Sequence, residues 1–336
     1  MTEAARTAQN ADIPRDILLT VLKRNREKWV SGEELAKQLS MTRSAIWKNI
    51  GILREEGYEI KSLPRLGYRL VSIPDLLLSR EIRDGLNTTV FGKRDIIRYV
   101  STDSTNNRAM ELAARGTPEG VMVIAEAQLR GRGRLERSWF SPEKENIYVS
   151  FIVRPSLSPT EASRMVLLAV VAAADALIAA TGLTAYVKWP NDILVGGRKI
   201  ASVLLEMAVE MDAIDYMVIG LGINVNCPAE RFPADLREKA TSVLIETGKP
   251  FSRVFLLNRF LEFFEKEYNA LRANGFQPVV NRWKTLTNMI GRKATIRTIS
   301  GSYEGVITNI DYEGFLILRD DEGSEKRLFS GDITII

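Results

Sequence analysis

The residues best suited to chemistry in this 336-residue sequence are four arginines in a short stretch that also holds two glycines. These residues lie within positions 130–137, and Trp139 follows them. Alternating glycines disfavour both helix and regular strand, so the pattern predicts a loop. Guanidinium groups on a loop can surround an anion, because their planar set of donors matches carboxylate and phosphate. A solvated basic loop is the alternative interpretation of this stretch taken alone.

Three further segments place polar, cationic or small residues where strands and helices are expected to begin or end. Residues 103–106 (Asp-Ser-Thr-Asn) precede a predicted helix and offer hydroxyl and amide groups to a small polar ligand. Residues 187–192 hold a lysine beside Trp and Pro, which suits the stabilisation of charge on a transferring phosphoryl group. Residues 220–225 contain two glycines, which allow a ligand to approach the backbone closely. Singly, the three segments are explained equally well as a helix cap, a strand end and a turn.

The composition excludes several classes of catalysis. The sequence contains no histidine, so Ser-His-Asp and Cys-His mechanisms are excluded. Cys227 is the single cysteine, which excludes an internal disulfide and a zinc site built from cysteines. Catalysis must therefore rely on lysine, arginine, carboxylates and backbone amides, and we predict no metal site formed by the protein itself.

The sequence lacks the patterns of secretory and membrane segments. Residues 1–12 are polar, unlike a secretory signal. The most apolar run, residues 165–174, is too short for a membrane span, which needs about 20 residues, and it predicts a buried helix. We therefore expect a cytoplasmic protein with no membrane association.

Residues 14–72 are predicted to form a winged helix-turn-helix domain that binds DNA. Ser31 with Glu34 forms a capping box, and Thr42 can cap the next helix after a turn of about three residues. Two short strands then form the predicted wing, and the whole net charge of +4 lies in residues 1–72, which favours DNA over a protein partner. The residues expected to contact DNA are Arg43, Ser44, Trp47, Lys48, Lys61 and Arg65. A helical protein-interaction domain is the alternative interpretation.

The rest of the chain predicts an α+β protein with two more domains. Residues 76–286 mix strand-like apolar runs with amphipathic helices, which indicates a mixed α/β core. Residues 287–336 contain four short alternating strands with glycines between them, and we predict a small SH3-like β-barrel. Residues 1–13 are expected to be a disordered N-terminus.

The central motifs, taken together and in this order, resemble one known family. The sequence GRGR is followed by WFSP, then by KWPND, and finally by GLGIN. This set resembles the bifunctional biotin–protein ligases that are also biotin operon repressors. The resemblance extends from about Ile17 to the C-terminus. It implies a winged helix-turn-helix, a catalytic core of the biotin/lipoate ligase type and the C-terminal barrel.

The resemblance implies a two-step reaction. Biotin and Mg²⁺-bound ATP give biotinyl-5′-AMP and pyrophosphate, and the biotinyl group then passes to a lysine of a biotin carboxyl carrier protein, such as that of acetyl-CoA carboxylase. The implied partners are this carrier protein, operator DNA, and a second copy of the chain when biotinyl-AMP is bound.

The resemblance also implies roles by motif position. Lys188 and Arg134 are implied as catalytic residues, with Lys188 stabilising the α-phosphate. Biotin would be bound by Ser104, Thr105, Gln128, Gly131, Arg132, Lys188 and Gly222. ATP and the adenylate would be bound by Arg132, Arg134, Trp139, Asn191, Ile223 and Asn224.

The sequence departs from the family pattern in three places, and one of them is residues 141–146, which lack the glycines often found after Ser-Pro. Glu136 stands where a glycine is usual, and a carboxylate in this loop could pair with Arg137 or Arg134 and weaken anion binding. Ser202 replaces a common glycine. Glu136 and the missing loop glycines motivate one alternative, a winged-helix repressor that senses biotinyl-AMP with weak or no transfer activity. A second alternative is a ligase for lipoate or octanoate, against which the Trp of KWPND and the C-terminal barrel favour biotin.

Overall fold

The chain folds into two compact units that divide between Asp75 and Leu76. The computed structural model describes the backbone of residues 3–336 and the side chains of residues 14–271, 273 and 275–336. The first helix begins at Glu3, so the backbone of residues 3–13 is helical rather than disordered as expected, while residues 1–2 lie outside the described part.

The first unit is a three-helix domain with a β-hairpin. Its elements are α1 (Glu3–Arg24), α2 (Gly32–Gln38), α3 (Arg43–Glu55), β1 (Glu59–Leu63) and β2 (Gly67–Ser72). The Ser31 hydroxyl accepts a hydrogen bond from the Glu34 amide at 3.0 Å, and the Thr42 hydroxyl accepts one from the Ala45 amide at 3.1 Å. These caps fix where α2 and α3 begin, because each satisfies an amide that has no partner within its helix. The antiparallel hairpin β1–β2 forms the predicted wing.

The second unit is built on a seven-stranded mixed sheet. Its strands are β3 (Ile96–Thr102), β4 (Met122–Gln128), β5 (Ile147–Val153), β6 (Ala185–Lys188), β7 (Asp192–Val195), β8 (Arg198–Glu210) and β9 (Ala213–Ile223). They lie in the order β3-β4-β5-β9-β8-β7-β6, and only β3 and β4 run parallel. A parallel pair ends at one edge, so the carboxyl ends of β3 and β4 are neighbours.

Helices cover both faces of this sheet. They are α4 (Ser79–Arg83), α5 (Thr105–Ala114), α6 (Ala162–Thr181), α7 (Val243–Thr247), α8 (Arg253–Asn274) and α9 (Gln277–Leu286). Along β4, Met122 and Ile124 are buried in the core with α6 and α8, whereas Val123 is buried beneath α5. Successive side chains of a strand point to opposite faces, so this strand is buried on both sides.

The most apolar helix lies in the centre of the core. In the described part of the chain, only residues 159–181 have the length and hydropathy to cross a membrane, and 61% of their most apolar window is buried. This helix packs against α8 and α9. The predicted buried helix is therefore present as a core element.

The C-terminal residues form a five-stranded antiparallel sheet. Its strands are β10 (Lys293–Thr298), β11 (Gly301–Ile310), β12 (Leu316–Arg319), β13 (Glu325–Leu328) and β14 (Asp332–Ile335), in the order β13-β12-β11-β10-β14. The Trp189 indole donates a hydrogen bond to the Gly314 carbonyl at 3.1 Å, which ties this sheet to the core. The sheet was predicted; its closure into an SH3-like barrel and the domain boundary at residue 286 stay predictions.

Candidate functional site

A small cavity opens beside the carboxyl ends of β3 and β4. The lining residues come from four separate segments of the chain. They are Ser104, Thr105, Asn106, Gln128, Arg132, Gly133, Trp139, Ser202, Leu204, Gly220, Leu221 and Gly222. The fold thus brings together the basic loop, the start of α5 and strands β8 and β9.

The Gln128 side chain joins two sides of the cavity. Its carbonyl oxygen accepts a hydrogen bond from the Thr105 amide at 2.9 Å, and its amide donates to the Ser141 hydroxyl at 3.1 Å. The Ser150 hydroxyl donates to the Thr105 hydroxyl at 2.8 Å. Ser104 is buried at the N-cap of α5, where its hydroxyl makes no capping bond. Three of the predicted biotin-binding residues, Ser104, Thr105 and Gln128, are therefore adjacent and preorganised.

Arg132 is held by an acidic residue that the sequence motifs did not identify. Its guanidinium lies 2.9 Å from the Glu206 carboxylate and donates to the Asn107 side-chain oxygen at 2.8 Å. Glu206 also accepts a hydrogen bond from Asn106 at 2.9 Å. Glu206 stands within an otherwise apolar run of β8, and this pattern could have identified it from the sequence. Asn106 stood in the motif of residues 103–106, but no role had been assigned to it.

Two glycines of β9 are required by close contacts. A Cβ atom at Gly220 would lie 1.9 Å from the Asn106 side-chain oxygen, and one at Gly222 would lie 2.6 Å from the Trp139 indole. Glycine is therefore needed at both positions for these side chains to reach the cavity. Gly131 is buried at the base of the basic loop and does not line the cavity.

The basic loop folds back on itself as a tight hairpin. The Gly133 amide donates to the Arg137 carbonyl at 2.6 Å, and the Trp139 amide donates to the Gly131 carbonyl at 2.8 Å. The Trp139 ring closes one side of the cavity. Its indole nitrogen is buried without a hydrogen-bond partner among the described residues. This ring therefore presents an aromatic surface and a donor at the place where the adenylate was expected.

Arg134 and Arg137 tie the hairpin to the C-terminal sheet. Arg134 donates to the Asn191 side-chain oxygen at 3.1 Å and to the Ser330 hydroxyl at 2.7 Å, and Arg137 pairs with Asp332. Burial lowers the pKa of Arg134, because a charged guanidinium loses hydration there. Arg134 does not line the cavity in this conformation.

Among the described residues, Glu136 pairs with neither neighbouring arginine, so the possible pairing is not formed. The residue is exposed, and within the described chain no ion pair joins it to Arg134 or Arg137. Both arginines already have partners elsewhere. Leu135 and Glu136 both have left-handed backbone conformations, with φ of 53° and 56°. That conformation favours glycine and gives a physical reason for a glycine at this position.

Lys188 ends strand β6 and is half-buried, but it does not line the cavity. Across the part of the chain that the structure describes, its ammonium group has no ion pair or hydrogen bond. Lys199 by contrast pairs with the Asp192 carboxylate at 2.5 Å. Asp192, the register partner of Lys188 on β7, is thus paired with Lys199 instead.

Ser202, another departure from the family pattern, connects the cavity to this segment. Its hydroxyl donates to the Asp192 carboxylate at 2.7 Å and accepts a hydrogen bond from Asn191 at 3.1 Å. Asn191 is buried and also donates to the Val203 carbonyl at 2.8 Å. Asn191 therefore lies behind the lining, between Ser202 and Arg134.

Ile223 and Asn224 do not reach the lining. Ile223 is buried in the core at the end of β9. The Asn224 side chain donates to the Thr241 carbonyl at 3.0 Å and accepts from Asn146 at 3.4 Å. These contacts hold the backbone beyond β9, and a binding role for either residue stays a prediction.

The first unit carries the candidate DNA interface. Arg43, Ser44, Trp47 and Lys48 are exposed on one side of α3, and Lys61 and Arg65 are exposed on the wing. Arg54 donates to the Ile60 carbonyl at 2.9 Å and 2.7 Å, and to the Ser62 hydroxyl at 3.1 Å. These bonds hold the wing against α3, and all six predicted residues lie on this one unit.

Known proteins resemble this chain along nearly its whole length. A family model described as the biotin/lipoate A/B protein ligase family matches residues 99–224, and a helix-turn-helix domain model matches residues 15–69. The bifunctional ligase/repressor BirA of Bacillus spizizenii is 38% identical over 96% of this chain and 98% of its own length. The chain belongs to the BirA family of bifunctional ligase/repressors.

Other members of the family extend this relationship. The Escherichia coli BirA protein is 32% identical over 91% of this chain and 92% of its own length. A solved structure of the biotin protein ligase from Aquifex aeolicus with biotin and ATP superposes with a TM-score of 0.62 at 26% identity. It covers 72% of this chain and 99% of that one. Similarity to the BirA family thus extends over both units of the chain.

Proposed function

We propose that this chain is an ATP-dependent biotin–protein ligase that also represses biotin genes in response to biotin. One observation carries the proposal: a single chain with BirA similarity over 96% of its length holds both a polar, arginine-lined cavity and a cationic winged helix-turn-helix. Lipoate and octanoate are less well supported, because the similar ligases cited above are named for biotin.

The first chemical step joins two anions. A biotin carboxylate oxygen attacks the α-phosphorus of ATP, a new P–O bond forms, and the bond to the departing pyrophosphate breaks. Arginine and lysine suit this step, since cations offset the repulsion and the charge of the transition state. Arg132 is placed to bind biotin and the adenylate, and Arg134 and Lys188 would stabilise the α-phosphate after the loop rearranges around it.

Mg²⁺ supplies charge neutralisation on the ATP phosphates. Among the described residues, no cluster of three or more acidic or cysteine side chains forms a metal site. We therefore infer that the ion enters on the nucleotide, while the chain contributes the guanidinium and ammonium groups.

The second step transfers the biotinyl group. The amine of a carrier lysine attacks the anhydride carbonyl, an amide bond forms, AMP leaves and the amine loses a proton. The basic loop and Trp139 would shield the anhydride from water until the carrier binds. Ser104, Thr105, Gln128 and Gly222 would hold biotin, with Trp139 and Asn191 on the adenylate side. Gly131, Ile223 and Asn224 would support the biotin and adenylate sites from behind the lining.

The partners follow from the two activities. We infer a biotin carboxyl carrier protein as acceptor and operator DNA as the ligand of the winged unit. We also infer a homodimer once biotinyl-AMP is bound, which would couple ligand binding to DNA affinity and present two winged units to two half-sites. The cytoplasm is the proposed location.

Transfer of labelled biotin to a purified carrier domain tests the ligase. With ATP and Mg²⁺ we expect the carrier to be labelled, and Arg132→Ala and Lys188→Ala should each reduce labelling about 100-fold or more, in the range reported for electrostatic stabilisation of a transition state. Lys249→Ala, an exposed lysine outside the cavity lining, is the matched control and should keep the full rate. Adenylate formation without labelling of the carrier would instead support the regulator-only alternative.

Gel-shift experiments test the repressor. A duplex selected from random sequence should be retarded in the presence of biotin and ATP, and more weakly without them. Sedimentation under the same conditions should show the mass of a dimer. No selected duplex, or no change in mass, would contradict the corresponding part of the proposal.

A further inference from the structure

Trp47 is a large apolar side chain exposed in the middle of a cationic surface. The residue is 69% exposed on α3, in the part of the helix where the other apolar side chains, Ile46, Ile50 and Leu53, are buried. Arg43 lies one turn before Trp47, and Lys48 follows it directly. Exposing an indole to water gains nothing for folding, so packing within the first unit does not account for Trp47.

Gly51 lies one turn after Trp47 on the same side of α3, since residues four positions apart are neighbours on a helix. Among the described residues, and apart from the helix's own backbone, a Cβ atom there would meet no atom within 4 Å, and its φ is not left-handed. Packing and backbone conformation therefore give no reason for glycine. An alanine would favour the helix by roughly fivefold in its equilibrium constant. The glycine leaves a bare patch of helix beside the exposed indole.

The surroundings of this patch select an anionic partner. Arg43 and Lys48 flank it on α3, Lys61 and Arg65 lie on the wing, and residues 1–72 carry the whole net charge of +4. An apolar surface framed by cations suits the major groove of duplex DNA. There, thymine methyl groups are the apolar features and phosphates border the groove.

We infer that Trp47 and Gly51 form the base-recognising part of α3. In this arrangement the Trp47 indole packs on one or more thymine methyl groups, and the bare helix at Gly51 allows the backbone to approach the groove wall closely. Arg43 and Lys48 contact the phosphates or bases beside them. This inference rests on the proposed repressor function and adds a specificity that the fold alone does not give: thymine in each half-site.

Replacement of thymine by deoxyuridine in the selected duplex tests the contact, since this removes only the 5-methyl group. We expect the wild-type protein, with biotin and ATP, to lose about fourfold in affinity at each recognised thymine, the value of one buried methyl group. Trp47→Ala should bind the thymine duplex about tenfold or more weakly and should not respond to deoxyuridine. Trp47→Phe should keep part of the response. The thermal midpoint of the first unit should be the same in these variants as in the wild type, because the replaced side chain is exposed.

Gly51→Ala provides a second, independent measurement. We expect this variant to raise the thermal midpoint of the first unit and at the same time to weaken DNA binding about tenfold. If Gly51 mattered for folding alone, the thermal midpoint and the DNA affinity would not change in opposite directions. Asn49→Ala, on a side of α3 turned away from Trp47, is the matched control and should leave DNA affinity unchanged.

The possible results separate the inference from the function on which it rests. If the wild-type protein selects no duplex at all, the repressor function and the inference both fail. The inference alone fails if the wild type binds DNA but responds to deoxyuridine no more than Trp47→Ala does. It also fails if Gly51→Ala binds DNA as well as the wild type. In those cases the exposed indole serves a protein partner instead.

Discussion

The Arg132 guanidinium lies 2.9 Å from the Glu206 carboxylate, so the arginine assigned to biotin and its adenylate is already paired inside the protein. Their side chains are 41% and 22% exposed. An anionic ligand must therefore compete with an internal carboxylate. The pair keeps the guanidinium at the cavity without leaving its charge uncompensated.

Glu206→Gln should strengthen the binding of biotin. Without the competing charge, Arg132 is available to the biotin carboxylate, and we expect a gain of up to about fivefold, since a partly exposed pair is worth about 1 kcal/mol. Titration calorimetry with biotin measures the effect. Glu210→Gln, at the exposed end of the same strand, is the control. Weaker binding by Glu206→Gln would show that the carboxylate mainly orients Arg132.

Glu136→Gln should leave biotin transfer within about twofold of the wild type, because the exposed carboxylate pairs with neither Arg134 nor Arg137 and screened surface charges contribute little. Steady-state transfer to the carrier measures this. A rise of fivefold or more would mean that the carboxylate does oppose anion binding when the loop closes.

Ser202→Ala should slow adenylate formation about tenfold. The substitution removes the hydrogen bonds to Asp192 and Asn191, and a lost side-chain bond of this kind costs about 1–1.5 kcal/mol. Pyrophosphate release measures the adenylation step by itself. Ser163→Ala, which removes a hydroxyl bonded to the Glu313 carbonyl, is the control. An unchanged rate would show that Asn191 and Asp192 are held well enough by their other contacts.

Arg253→Met should destabilise the second unit strongly. Arg253 lies 2.8 Å from Glu126, and both side chains are fully buried, so the variant leaves a buried carboxylate with less compensation. The expected loss is about 3–5 kcal/mol. Urea unfolding of Arg253→Met, Glu126→Gln and the double variant measures the coupling. The double variant should recover part of the loss, and strictly additive effects would contradict the pairing.

Asp103 should support the start of α5 against acid. Burial opposes its ionisation, but hydrogen bonds from Asn107, Ser104 and Thr102, together with Arg108, outweigh burial and lower its pKa to about 2. A lowered pKa stabilises the fold above the ordinary value near 3.8, and this contribution is lost as the pH falls from about 4 through 2. We expect Asp103→Asn to lose about 1–2 kcal/mol at pH 7, allowing for solvent screening, and much less at pH 2. Equal losses at both values would contradict this assignment.

Local patterns in the sequence determined where helices begin, which family the chain belongs to and which chemistry is open to it. The capping residues Ser31 and Thr42 predicted where the helices of the first unit begin, because a helix cap depends on neighbouring residues alone. The order of the central motifs predicted the family, and the motif residues Ser104, Thr105 and Gln128 do meet at one cavity. The absence of histidine restricted the chemistry before any fold was known.

Contacts between distant segments were decided only by the tertiary structure. The register of β8 brings Glu206 to Arg132, and the packing of the C-terminal sheet brings Ser330 to Arg134 across 196 residues of sequence. No local pattern encodes such pairs, because they depend on how whole strands are placed. The sequence therefore predicted which groups would bind an anion, whereas the fold decided which internal groups hold them until the ligand arrives.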